Sequence, residues 1–87
     1  MYVIVTYDIA EERVNKVRKV LIKYFNWVQN SVFEGEITES NFEKCKYELK
    51  SVIDESYDSV YFYVFESKKL CTKIILGEGK DLATSLI

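Results

Sequence analysis

Histidine and proline are absent from this chain of 87 residues, glycine occurs three times and cysteine twice. Without an imidazole, Ser/His/Asp and Cys/His nucleophilic catalysis are excluded, because both depend on a base that titrates near neutral pH. Chemistry is left to carboxylates, hydroxyls, lysine or a metal. Cys45 and Cys71 lack the C-x-x-C spacing and have no histidine to complete a zinc site, so they read as small buried hydrophobes kept reduced. No apolar run approaches the ~20 residues that a membrane span requires. The chain also enters strand-like sequence at once, with no basic leader. A cytoplasmic protein with no membrane partner is expected.

What is present is an ordinary globular composition, 48% hydrophobic and 30% charged. A chain of this length makes one domain, and one that buries only about 60 to 65% of the surface its unfolded form exposes. The net charge of -2 argues against indiscriminate nucleic-acid binding, yet Arg13, Lys16, Arg18, Lys19 and Lys23 crowd into one short segment. A local basic surface survives a near-neutral total.

Residues 2–9 are β-branched and aromatic, with Val3, Val5 and Tyr7 on one face and Tyr2 and Ile4 on the other. This is the pattern of a strand buried on both sides. From Glu11 the period changes. Val14, Val17, Leu21 and Tyr24 recur at helical spacing, with Lys16, Lys19 and Lys23 opposite them. Residues 27–38, WVQNSVFEGEIT, return to strand composition; Gly35 within them suggests a bulge or bend, or two short strands. Thr38 or Ser40 then caps a second helix, Ser40 with Glu43 fitting the capping-box pattern, and Phe42, Cys45, Leu49, Val52 and Ile53 form its apolar stripe. That helix ends near DESYDS. Residues 59–67 are the clearest strand, KLCTKIILG to Gly77 reads as a last one, and residues 78–87 form a tail.

The resulting fold class is α+β, a ferredoxin-like βαββαβ sandwich over residues 1–77 with an extra C-terminal strand. Two helices cover one face of its sheet, yet the first strand and the Val60 to Phe65 strand are apolar on both faces. No chain remains to cover the second face, so a twofold homodimer is expected.

Asp8 ends a hydrophobic strand where another apolar side chain is the usual choice. It can cap the following helix, accepting hydrogen bonds from the first amides. It can also bind a metal. Mg²⁺ is commonly held by one or two carboxylates with waters and phosphate oxygens, and a twofold axis would bring a second Asp8 to the same point. Such a site suits phosphodiester hydrolysis without histidine.

YVIVTYDI, followed by RVNKVRKVL and NWVQNSVFEGEIT and later by ILGEGK, resembles the CRISPR-associated Cas-two family, the smaller of the two core proteins of spacer acquisition. The resemblance spans nearly the whole chain, and SVFEGE after a YD strand is its most specific part. It implies a ferredoxin-like homodimer binding Mg²⁺, with Mn²⁺ as a substitute, through Asp8 of both subunits. It implies catalytic positions at Asp8 and Tyr7, with further motif positions at Ser31 and Phe33. It also implies endonuclease activity on single-stranded RNA or double-stranded DNA, a bridging role with the integrase partner protein, and a tail whose TSLI, residues 84–87, adds a strand to the opposite subunit. Many members carry an arginine where Trp27 stands, so activity is expected to be weak; as strand aromatics, Trp27, Phe33 and Tyr7 would otherwise simply pack.

Arg13, Lys16, Arg18 and Lys19 are the candidate nucleic-acid contacts, a sequence-independent phosphate track or else a solvated helix face. Two functional readings follow, a metal-dependent endonuclease and a non-catalytic scaffold for the integrase and its duplex. A toxin-type endoribonuclease of similar fold is a third. An RNA-recognition module is disfavoured, since no segment matches its aromatic strand motif.

Overall fold

The computed structural model describes residues 1–77. Their elements run β1 (Tyr2–Asp8), α1 (Glu11–Leu21), β2 (Asn26–Gln29), β3 (Val32–Glu36), α2 (Glu39–Lys50) and β4 (Ser59–Phe65), followed by a single 3₁₀ turn at Lys68–Leu70. The strands form one sheet in the order β2-β3-β1-β4, and every neighbouring pair is antiparallel. β1 and β2 therefore point the same way with β3 inserted between them, the split βαβ arrangement expected of the element order.

The alternation of side chains along β1 sorts them between the two faces. Val3, Val5 and Tyr7 point to the helix side and are buried, opposite Val64, Phe62 and Val60 of β4. Above them lie Val17, Val20 and Leu21 of α1 and Phe42, Cys45 and Leu49 of α2, together with Phe25, Phe33 and Ile37. Phe42 meets Phe62 edge-on, ring centroids 5.1 Å apart. Each fully buried aliphatic or aromatic side chain in this layer contributes roughly 1.5–3 kcal/mol relative to exposure. Cys45 is in the core as expected, and burial pushes its thiol pKa up to about 12.

The second face of the sheet carries Tyr2, Ile4, Thr6 and Asp8 of β1, their β4 partners Phe65, Tyr63, Tyr61 and Ser59, and Val32, Glu34 and Glu36 of β3. No helix covers it. Residues 66–77 fold back over one corner, where Lys73 pairs with Glu34 and the Lys68 ammonium stands 5.9 Å from the Tyr2 ring. Tyr2 is buried there, and burial followed by the neighbouring Glu34 carboxylate pushes its phenol well above the usual range. At the other end of the face, Tyr61 and Tyr63 are exposed.

Three local expectations are corrected. KLCTKIILG does not form a strand: Lys68–Leu70 is a 3₁₀ turn and residues 71–76 follow without regular pairing. A strand requires a neighbour to pair with, and although β2 and β4 leave the two edges of the sheet open, this segment pairs with neither among the described residues. The break in residues 27–38 falls at Asn30, whose φ of 37° turns β2 into β3, rather than at Gly35, which pairs regularly with Val3. The local irregularity lies in β2, between Trp27 and Gln29. The Ser40–Glu43 capping box is not used; Thr38 caps α2, its hydroxyl accepting from the Asn41 amide at 3.2 Å. The tail and its TSLI lie outside the described residues.

Candidate functional site

Asp8 is the last residue of β1 and its side chain is exposed on the uncovered face. The register explains the placement. Asp8 pairs with Ser59, the first residue of β4, and Thr6 with Tyr61, so the carboxylate stands at the edge of the face, beside its open end. Asp8 is in none of the side-chain hydrogen bonds or ion pairs among the described residues. It is not the cap of α1. The N-cap position is Ala10, which offers no side-chain cap, and the amide of Ala10 is instead bound by Asp58 at 2.9 Å. A nearby carboxylate was the expected cap, but the one that serves is supplied from the start of β4.

Asp58 is the missed residue of this region. Its side chain is fully enclosed, and both carboxylate oxygens are engaged. Oδ1 accepts from the Ala10 amide and from Arg13 Nη2 at 3.0 Å; Oδ2 accepts from Arg13 Nε at 2.6 Å and from the Asp54 amide at 2.9 Å. The Arg13 guanidinium first, and the Asp54 and Ala10 amides after it, hold the Asp58 carboxyl far below the usual carboxylate range against the opposing effect of burial. The sequence signal was faint, an aspartate in a polar stretch before a strand, with its partner 45 residues away.

The expected basic set divides. Arg13 is engaged by Asp58, and its guanidinium also stands 6.0 Å from the Tyr57 ring. Lys23 pairs with Glu48, which also accepts from the Tyr24 hydroxyl, so this group joins the turn after α1 to α2. Lys16, Arg18 and Lys19 are exposed and belong to no ion pair among the described residues. Lys16 and Lys19 lie nearly one turn apart on the outer side of α1, whereas Arg18 is on the other flank, where its charge bears on the Tyr7 phenol.

Tyr7 does not join Asp8. Successive strand residues point to opposite faces, so the Tyr7 ring is buried on the helix side, 6.2 Å from Phe33. Burial raises its phenol pKa, and Arg18 partly opposes that. Phe33 is itself 1% exposed and is core. Ser31 meets the end of β1 through its main chain, its carbonyl accepting from the Tyr7 amide at 3.2 Å. Trp27 pairs with Phe33 on the helix side and donates its indole N–H to the Asn30 carbonyl at 3.1 Å, bracing the β2–β3 turn. It packs, as a strand aromatic would.

The family model described as CRISPR associated protein Cas2 matches residues 1–72. The chain belongs to the Cas2 family. It is 62% identical over 86 residues to a protein of Thermodesulfovibrio yellowstonii named CRISPR-associated endoribonuclease Cas2 3, covering 99% of this chain and 98% of that one. It is 48% identical over 87 residues to the Methanosarcina acetivorans CRISPR-associated endoribonuclease Cas2, covering the whole of both chains. Among solved structures, one described as the crystal structure of Cas2 superposes with a TM-score of 0.84 at 44% identity, covering 92% of this chain and 90% of that one. Streptococcus pyogenes Cas2 superposes with a TM-score of 0.73 at 35% identity, covering 86% and 99%. The family expected from the YD strand and SVFEGE is the family found, and the α+β sheet with two helices is shared with these Cas2 structures. No helix among the described residues is long and apolar enough to cross a membrane.

Proposed function

We propose that this Cas2 family member is a metal-dependent endonuclease of CRISPR adaptation, working as a homodimer on phosphodiester bonds of single-stranded RNA or double-stranded DNA. The observation that carries the reading is Asp8: an exposed carboxylate at the end of a buried strand, without a side-chain partner among the described residues, on a sheet face that none of their helices covers. The names of the relatives, CRISPR-associated endoribonucleases, support the same class of chemistry.

A hard divalent cation takes oxygen ligands and keeps several waters, so an accessible carboxylate with no competing donor fits it. No group of three or more acidic or cysteine side chains among the described residues could hold a metal ion, and Asp8 is the ligand that the reading takes from each chain. A second copy packed against the open face, with Tyr61 and Tyr63 in the contact, would bring a second Asp8. Mg²⁺ or Mn²⁺ held there would supply a water of lowered pKa and offset phosphate charge as the bond breaks. Asp8 binds and orients on the open face; Lys16, Lys19 and Arg18, on the helix side of the sheet, hold a separate stretch of the phosphate backbone without reading bases. Arg13 belongs to this set only through its outward Nη1, which also faces Glu12.

Bridging the integrase partner and its duplex is a second reading, favoured by the isolation of Asp8, with Tyr7 and Phe33 turned to the opposite face. End-labelled single-stranded RNA and double-stranded DNA, incubated with Mg²⁺ or Mn²⁺ and either wild type or Asp8→Asn, separate the two. Cleavage lost in a still-dimeric Asp8→Asn protein is the expected outcome. Cleavage equal in both proteins would refute Asp8 as the ligand that carries the chemistry, whereas cleavage absent from both would leave the bridging role alone.

A further inference from the structure

Asp58 is the one buried charged residue among the described residues, and the proposed chemistry makes no use of it. Its four donors come from three segments: the β1–α1 turn through Ala10, the first turn of α1 through Arg13, and the α2–β4 loop through Asp54. A helix cap needs one such bond. A guanidinium bound in two places also fixes direction, because its planar fork matches a carboxylate only in one plane.

The location of this knot is informative. Asp58 directly precedes Ser59, the register partner of Asp8, and the amide it holds belongs to Ala10, two residues beyond Asp8. The main chain on the near side of Asp8 is secured by the β4 ladder and by the Tyr7 amide on the Ser31 carbonyl. On the far side it is secured by Asp58. The Asp8 side chain itself receives no such support, so its aim depends on its main chain. Octahedral Mg²⁺ requires oxygens at about 2.0–2.1 Å with little tolerance in angle, and a ligand carried on a loose turn would not meet that demand.

We propose that Asp58, acting through Ala10 and Arg13, is a positioning residue that aims the carboxylate of Asp8 at a divalent cation. The inference rests on the reading of Asp8 as a metal ligand. Groups behind a ligand commonly account for tenfold or more in metal affinity.

The test is Mn²⁺ binding by the full chain, followed through the paramagnetic resonance signal of free Mn²⁺, with circular dichroism confirming the fold of each variant. Wild type is compared with Asp8→Asn, Asp58→Asn, Arg13→Gln and Ile37→Ala. Ile37 is a core residue hydrogen-bonded to Met1, at the opposite end of β1, and its truncation lowers stability without touching the knot. Expected are binding by wild type, loss in Asp8→Asn, about tenfold weaker binding in Asp58→Asn and Arg13→Gln, and wild-type affinity in Ile37→Ala. If Asp58→Asn does not fold, Arg13→Gln carries the comparison. Wild-type affinity in the folded Asp58→Asn or Arg13→Gln protein overturns the positioning role alone, as does equal weakening in Ile37→Ala. Equal binding by wild type and Asp8→Asn overturns the ligand reading, and the positioning role falls with it.

Discussion

Replacing Lys16 and Lys19 together by glutamine tests whether the outer side of α1 tracks phosphates. The structure sorts the cations of this helix before any binding is measured. Arg13 is held by Asp58 and Lys23 by Glu48, whereas Lys16, Arg18 and Lys19 stand exposed outside any ion pair of the described residues. Each phosphate neutralised by a cation makes the logarithm of affinity fall with the logarithm of salt by about 0.9 for duplex and about 0.7 for single strands. Loss of two such contacts therefore flattens the slope by about 1.8 on duplex and about 1.4 on single-stranded nucleic acid for each protomer that engages it. Lys23→Gln is the internal contrast, since its ammonium is already paired, and it should change the slope by well under one contact. The assay is fluorescence anisotropy of a labelled oligonucleotide over a series of potassium chloride concentrations. If the double variant keeps the wild-type slope, or Lys23→Gln flattens it as much, the division of the helix into free and engaged cations does not describe binding.

Phe33→Ala, which empties a core position 1% exposed beneath α1 and α2, should cost about 3–5 kcal/mol and lower Tm by at least ~12 °C in a domain of this size; an unchanged melting curve would contradict the core assignment. Because its folded-state pKa is depressed, Asp58 contributes stability that is fully present above the ordinary aspartate pKa of about 3.9 and is lost as pH falls below it. The Tm difference between wild type and Asp58→Asn should accordingly be widest near neutral pH and shrink below about pH 4; a gap independent of pH would refute the linkage. Tyr61→Asp combined with Tyr63→Asp places like charges on the uncovered face and should shift the protein to monomer in sedimentation, whereas an unaltered dimer would place the contact elsewhere.

Most of the secondary structure was legible because two periods carry it. The stripe of Val14, Val17 and Leu21 marks α1, and the alternation of Val3, Val5 and Tyr7 marks the buried side of β1. Asp8 stood out as a carboxylate ending such a strand, and its exposure agrees with that oddity. What the sequence hid depends on distance or on partners. The cap of α1 comes from Asp58, 48 residues beyond the amide it binds, and no local window joins them. The two-residue period also separates Tyr7 from Asp8, although adjacency in a motif suggested a shared site. KLCTKIILG has strand composition, but composition does not provide a neighbour to pair with.

The knot at Asp58 also bears on how the chain acquires its site. The start of α1 is capped by a residue that lies beyond α2, so the helix is complete at its N-terminal end only after β4 has docked on β1. Pairings of such long sequence separation form late and slowly, since the intervening chain must close first. A chain interrupted before residue 58 can still form a helix from Val14, Val17 and Leu21, yet it would carry Asp8 on an unanchored turn. If Asp8 holds a cation as proposed, that capacity would be a property of the finished fold, and it would distinguish complete molecules from partly folded or truncated ones.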